Sequence, residues 1–264
     1  MAVIAVYSVK GGVGKTTLAV DLAWRSAALS GHRTLLWDLD PQGGAGYLLG
    51  FDETNRQRAA AIFQREGKPR EVIEPTRYER LSLLPADESL RSLPVQLARI
   101  GHRKRLATMA TYLKPDFDRI ILDCPAGFGE VADQVMSAAD LVIVPLPPSP
   151  LSARALEMIR RELIRNHHRH PPILPVLSMV DTRRRLHREV VEGIGAGWPQ
   201  IGYNSLIEQT AVQRAPLSTF APYSDPARSL KRLWNGIEAK LASMGAQPER
   251  GTAGAFSLAQ ARTS

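Results

Sequence analysis

The sequence predicts a single α/β domain, a doubly wound and mostly parallel sheet flanked by helices. Three observations predict it. Residues 3–7 are a short apolar run, rich in β-branched side chains, that ends in a glycine-rich turn. Residues 16–29 carry apolar side chains at helical spacing (Leu18, Leu22, Leu29), and Gly31 follows as a stop signal. Residues 34–39 are a second apolar run. Strand, glycine turn, helix and strand make a βαβ unit, and such a unit builds a parallel sheet.

The later elements follow in order. Residues 119–122 and 141–144 read as two buried strands, with a short helix at 131–139 between them. Residues 173–180 are another strand, and Pro171, Pro172 and Pro175 place them near its start or at an edge. Between these runs, residues 51–115 are polar and mixed, and read as a helical excursion with a short strand at 81–84. Helices are expected at 151–166 and 228–244. The second carries Leu230, Leu233, Trp234, Ile237, Leu241 and Met244 on one face, a stripe expected to pack on the sheet. Residues 1–245 form the expected domain. The small, polar residues 246–264 read as a tail without fixed structure.

Composition bounds the function. The 264 residues are 44% hydrophobic and 23% charged, enough for a full globular core. No apolar run approaches the roughly 18–20 residues that span a bilayer. The apolar N-terminus lacks a basic leader and reads as a strand rather than a signal peptide. One cysteine, Cys124, excludes an intrachain disulfide, argues against a cysteine zinc site and fits a cytoplasmic protein. It reads as a packed small residue. The net charge of +8 is uneven: residues 1–150 carry +1 and residues 151–264 carry +7. A basic half is either a solvated surface or a face for a polyanion, nucleic acid or anionic lipid. His167, His168 and His170 have no acidic or cysteine neighbour to complete a metal site.

The stretch Lys10-Gly11-Gly12-Val13-Gly14-Lys15-Thr16-Thr17 carries the chemistry. A glycine-rich turn between strand and helix wraps a phosphate chain with backbone N–H groups, and the helix points its positive end at the anion. Lys15 would reach the β- and γ-phosphates and the Thr16 hydroxyl would bind Mg²⁺. Asp38 and Asp40, at i and i+2, share one face at the end of the second strand. Asp123 follows the apolar run Ile120-Ile121-Leu122, where a carboxylate meets Mg²⁺ through water.

These residues resemble the deviant Walker A sequence of the ParA/MinD group of P-loop ATPases. The resemblance extends to Asp38-Leu39-Asp40-Pro41-Gln42 and Ile121-Leu122-Asp123-Cys124-Pro125, and weakly into residues 176–245. It implies ATP and Mg²⁺ as cofactors, bound by Gly11 to Thr17, with Thr16, Asp38 and Asp123 on the metal side. It implies that Asp40 orients the attacking water and that Lys10 reaches the nucleotide of a partner subunit, much as an arginine finger does. ATP would then join two copies and hydrolysis would loosen them. Where the group commonly has two prolines, this chain has Pro125-Ala126-Gly127. Base contacts are implied after the strand 173–180 and near Tyr203-Asn204.

The group's DNA-riding members bind DNA non-specifically through basic residues of this half. Here the candidates are Arg183, Arg184, Arg185, Arg214, Arg228, Lys231 and Arg232. The expected function is a slow, dimerising, nucleoid-associated ATPase. It would position a plasmid, a chromosome region or a protein cluster, with hydrolysis stimulated by a ParB-like or other adaptor. The alternative is a MinD-like membrane switch, disfavoured because the candidate amphipathic helix is not terminal. A third class is a metabolic enzyme on the same scaffold. An iron–sulfur reductase needs two cysteines per subunit and is set aside, and no substrate motif marks a ligase.

Overall fold

The computed structural model describes residues 1–52, 58–64, 67–100, 104–166 and 170–245. The sheet strands are β1 (Ala2–Val6), β2 (Thr34–Asp38), β3 (Glu74–Pro75), β4 (Leu81–Leu84), β5 (Arg119–Asp123), β6 (Leu141–Leu146), β7 (Ile173–Val180) and β8 (Gln200–Gly202). They lie in the order β3-β4-β2-β5-β1-β6-β7-β8, and only β3 runs antiparallel to its neighbour. The helices are α1 (Lys15–Ala28), α2 (Gly44–Leu48), α3 (Leu93–Ile100), α4 (Arg105–Leu113), α5 (Glu130–Ala138), α6 (Pro150–Asn166), α7 (Arg185–Glu192), α8 (Ser205–Gln213), α9 (Leu217–Phe220) and α10 (Asp225–Gly245).

Two cores sandwich the sheet, because strand side chains alternate between its faces. Val3, Ala5, Leu35, Trp37, Ile120 and Leu122 meet α3 to α6 on one face. Ile4, Val6, Leu36 and Ile121 meet α1 and α10 on the other. Most of the α10 stripe is spent there: Leu230, Leu233, Trp234, Ile237 and Leu241 are buried, while Met244, in the last turn, is only half-buried. Within that core a buried ion pair ties α1 to the C-terminal half. Arg25 Nε donates to Asp21 at 2.5 Å, and its guanidinium reaches the Ser218 hydroxyl and, at 3.0 Å, the Ala227 carbonyl.

The prolines sit where the ladder needs no donor. Pro175 would donate on the β8 side, but the β7–β8 pairing begins beyond it, at Leu177. Pro145 would donate on the β1 side, beyond the last β1–β6 pair, Val6–Ile143. That lets β6 run two residues past the expected end at 144. Helix α1 starts one residue earlier than expected, since Gly14 takes a left-handed φ of 87° and turns the chain straight into the helix. Leu29 falls outside α1 and is exposed. The excursion at 51–115 is broken into short 3₁₀ turns, the β3–β4 pair and two short helices, among its described residues. Residues 246–264 lie outside the described residues.

Candidate functional site

Central β1 lies between β5 and β6, and β5 lies between β1 and β2. The loops that leave β1, β2 and β5 therefore emerge side by side at the carboxyl ends of the strands, where open α/β sheets bind ligands. Register brings the carboxylates together: Asp38 pairs with Asp123 across β2 and β5, and Val6 pairs with Asp123 across β1 and β5.

The glycine loop is a shaped cradle. Gly12 and Gly14 take φ of 69° and 87°, and a Cβ added at Gly11 or Gly12 would meet nothing within 4 Å, so the concave side is open. Val13 is buried and anchors the loop. Lys15 is buried, with Nζ donating to the Lys10 carbonyl at 3.3 Å. Lys10 is half-buried, and its ammonium has no partner among the described residues. Thr16 and Thr17 open α1 half-buried. The start of α2 packs on Thr16, where a Cβ on Gly44 would lie 3.1 Å from Thr16 Cγ2.

The carboxylates differ in their partners. Asp38 is fully buried and accepts from the N–H groups of Asp40 and Ala45, each at 3.0 Å. Burial pushes it up to about 7, against the pull of those N–H groups. Asp40 is half-buried and accepts from Gln42 N–H at 3.1 Å, which folds the segment into an Asx turn. Asp123 is fully buried and neither oxygen has a hydrogen-bond partner among the described residues. Burial, then the Asp38 and Asp40 charges, push it well above the usual carboxylate range, while nearby Thr16 and Lys15 pull it back. With Asp38, Asp40 and Asp123 gathered, among the described residues, around the single nearby cation Lys15, the carboxylates are short of positive charge. A hard divalent cation bound through oxygen supplies that charge, so Asp123 and Thr16 fit Mg²⁺, with Asp38 beside them.

The basic candidates do not form one set. Arg183, Arg184 and Arg185 gather at the start of α7, exposed. Arg183 grips Asp181 with two bonds, at 2.9 and 3.0 Å, and holds its carboxyl down to about 2. Arg185 pairs with Glu189, while the Arg184 side chain has no partner among the described residues. Arg183 and Arg232 share a cleft of about 1140 Å³. Arg228 pairs with Asp225, and Lys231 is exposed on α10. Arg214 turns inward instead. It donates to the Tyr47 and Phe51 carbonyls and to Asp52, at 3.1, 2.6 and 2.8 Å, and its guanidinium lies 4.7 Å from the Tyr47 ring centroid. It clamps α2 to the end of α8.

The same cleft is walled by Val180, Asp181 and Thr182 on one side and by Tyr203 and Asn204 on the other, so both segments implied for the base meet there. Cys124 is buried, and burial pushes its thiol up. His170 is exposed and donates to the Pro171 carbonyl, whereas His167 and His168 lie outside the described residues. Two residues near the site gave no sequence signal. Met179 takes φ of 56° at the bulge of β7 and reaches within 4.0 Å of a Cβ placed on Gly14. Tyr7 reads as an ordinary strand residue but bonds the loop after Asp123.

A glycine cradle opening a helix, beside a buried carboxylate pair, marks the molecule as a nucleoside-triphosphate-binding protein of the P-loop class. Comparison with known proteins narrows the class. The AAA domain family model matches residues 1–172. The chromosome partitioning protein ParA of Myxococcus xanthus is 33% identical over 198 residues, 73% of this chain and 70% of that protein. Apo McdA of Cyanothece superposes with a TM-score of 0.76 at 21% identity, over 91% of this chain and 99% of that one. Cobyrinic acid a,c-diamide synthase from Mycobacterium smegmatis, with ATP analogue and magnesium bound, gives 0.77 at 25% identity, over 92% and 96%. The chain belongs to the ParA/MinD family of ATPases.

Proposed function

We propose that the protein is an ATP-switched dimer that binds DNA non-specifically and positions a cargo, with an adaptor that speeds hydrolysis. Backbone N–H groups from Gly11 to Thr17 hold the phosphate chain, and Lys15 neutralises its β- and γ-phosphates. Thr16 and Asp123 would hold Mg²⁺, with Asp38 supporting the metal and its waters. A metal held there would supply positive charge beside the phosphates. Asp40 orients the attacking water. The observation that carries the switch is Lys10: a half-buried ammonium beside the cradle, without a partner in its own described residues. A second copy's nucleotide completes it, so ATP becomes part of the dimer interface.

The exposed arginines at the start of α7, with Arg228, Lys231 and Arg232, supply the DNA face. The partitioning relatives support this reading over a ligase. Burial of Leu230, Leu233, Trp234, Ile237 and Leu241 on α10 favours this reading over the membrane switch. Among the described residues no helix is long and apolar enough to cross a membrane. The test is binding of a long non-specific duplex with ADP, with ATP, and with ATP on Asp40→Ala, across a salt series. Binding should need ATP, tighten in the variant, and fall with a log–log slope of about −0.9 per phosphate neutralised. No DNA binding in any state, with capture by anionic vesicles, would replace this reading by the membrane switch.

A further inference from the structure

The loop that follows Asp123 hangs over a void and is tied down at one point. It runs from Cys124 to Gly129 and joins β5 to α5. At its ends, Cys124 N–H donates to the Val6 carbonyl and the Gly129 carbonyl accepts from Asp133 N–H. Between them, Pro125 has no N–H to give, and residues 125–128 make one hydrogen bond among the described residues. It comes from Tyr7, whose hydroxyl donates to the Gly127 carbonyl at 2.9 Å. Below lies a cavity of about 340 Å³ lined by Tyr7, Leu39, Pro41, Cys124 and Val131, so packing does not replace the missing bonds. Phe128 stays 45% exposed. Gly127 and Gly129, at φ of 100° and 130°, bracket it as two hinges that only glycine adopts without strain.

The other end of the tie is rigid. Tyr7 directly follows β1, its ring is 1% exposed, and it packs in the core beside Leu39 and Cys124. A buried hydroxyl needs an acceptor, and burial keeps the phenol protonated, so it remains a donor. The peptide unit is planar and trans. Holding the Gly127 carbonyl inward therefore turns the Phe128 N–H away from Tyr7, toward the open side of the loop. The void also borders Pro41, next to Asp40, so the tethered loop and the Asp40 segment wall the same cavity.

We propose that Tyr7 is a positioning residue for ATP hydrolysis, acting through the Gly127 carbonyl to hold the loop after Asp123. The proposal rests on the roles given above to Asp40 and Asp123. Tyr7→Phe in the full chain removes the hydroxyl and keeps the ring. It should lower kcat about three- to tenfold with KM for ATP within about twofold, the scale of one lost hydrogen bond. In the nucleotide-free protein, the Cys124 and Asp133 amides, whose bonds close the two ends of the loop, should exchange about tenfold faster while β1 and β5 stay protected. Leu113→Val, in the core of α4, controls for simple loss of stability and should leave both readouts unchanged. Wild-type kcat in Tyr7→Phe, or unchanged exchange at Cys124 and Asp133, overturns the proposal. A wild-type chain that binds ATP without turning it over overturns the hydrolytic roles of Asp40 and Asp123. The exchange readout then still reports whether the tether exists, but the positioning role falls with those roles.

Discussion

Replacing Asp123 with Asn should stabilise the nucleotide-free protein and remove the stabilisation that Mg–ATP gives the wild type. The two effects have one source. Asp38 and Asp123 face each other in register on adjacent strands, both fully buried, and Asp123 has no hydrogen-bond partner among the described residues. Neighbouring strands lie about 4.8 Å apart. Two like charges about 5 Å apart repel by about 3 kcal/mol at an effective dielectric near 20. A proton shared by the pair relieves part of this, as the raised values of both carboxyls imply, and leaves about 1–2 kcal/mol. For a chain of this size that is an increase in Tm of about 3–6 °C. With ligand at about a hundred times its Kd, the wild type should gain about 2.7 kcal/mol and overtake the variant. Calorimetry with and without Mg–ATP reads both numbers. A variant less stable than the wild type without nucleotide, or one with the same Mg–ATP shift, would refute the reasoning.

Variants away from the phosphate loop test the scaffold and the basic surface. Asp21→Ala and Arg25→Ala should each cost about 3–5 kcal/mol, because each leaves a buried charge without its partner. The double variant should cost clearly less than the two together, as urea unfolding would show; additive losses would mean that the pair is not coupled. Arg184→Ala should make the salt slope of DNA binding shallower by about 0.9 if its unpaired side chain meets a phosphate. Arg214→Ala should leave that slope alone and lower stability by about 1–3 kcal/mol, since its donors are taken up by Tyr47, Phe51 and Asp52.

Where the sequence was legible, local physics decides the structure. The strands at 81–84 and 173–180 have the expected limits, because short apolar runs between turn residues leave no other choice. The phosphate loop is legible for the same reason: its glycines, Lys15 and Thr16 act through the backbone they form. The site's less legible parts are long-range. Arg214 is just another arginine until the fold brings Tyr47 and Asp52, more than 160 positions away, to its guanidinium. Tyr7 looks like core until its hydroxyl meets Gly127, 120 positions on. Met179 sits in a good strand pattern, and only pairing with β8 shows the bulge that turns it to φ of 56°. Residues 51–115 resisted division because short 3₁₀ turns have no period to read.

The trans role of Lys10 is the centre of the switch, and its direct test is sedimentation velocity. Wild-type protein should run as a monomer with ADP and as a dimer with ATP. Lys10→Ala should bind ATP, by calorimetry, and remain a monomer. A Lys10→Ala chain that still dimerises with ATP would contradict the account, because the nucleotide would then not be what the second subunit's lysine completes.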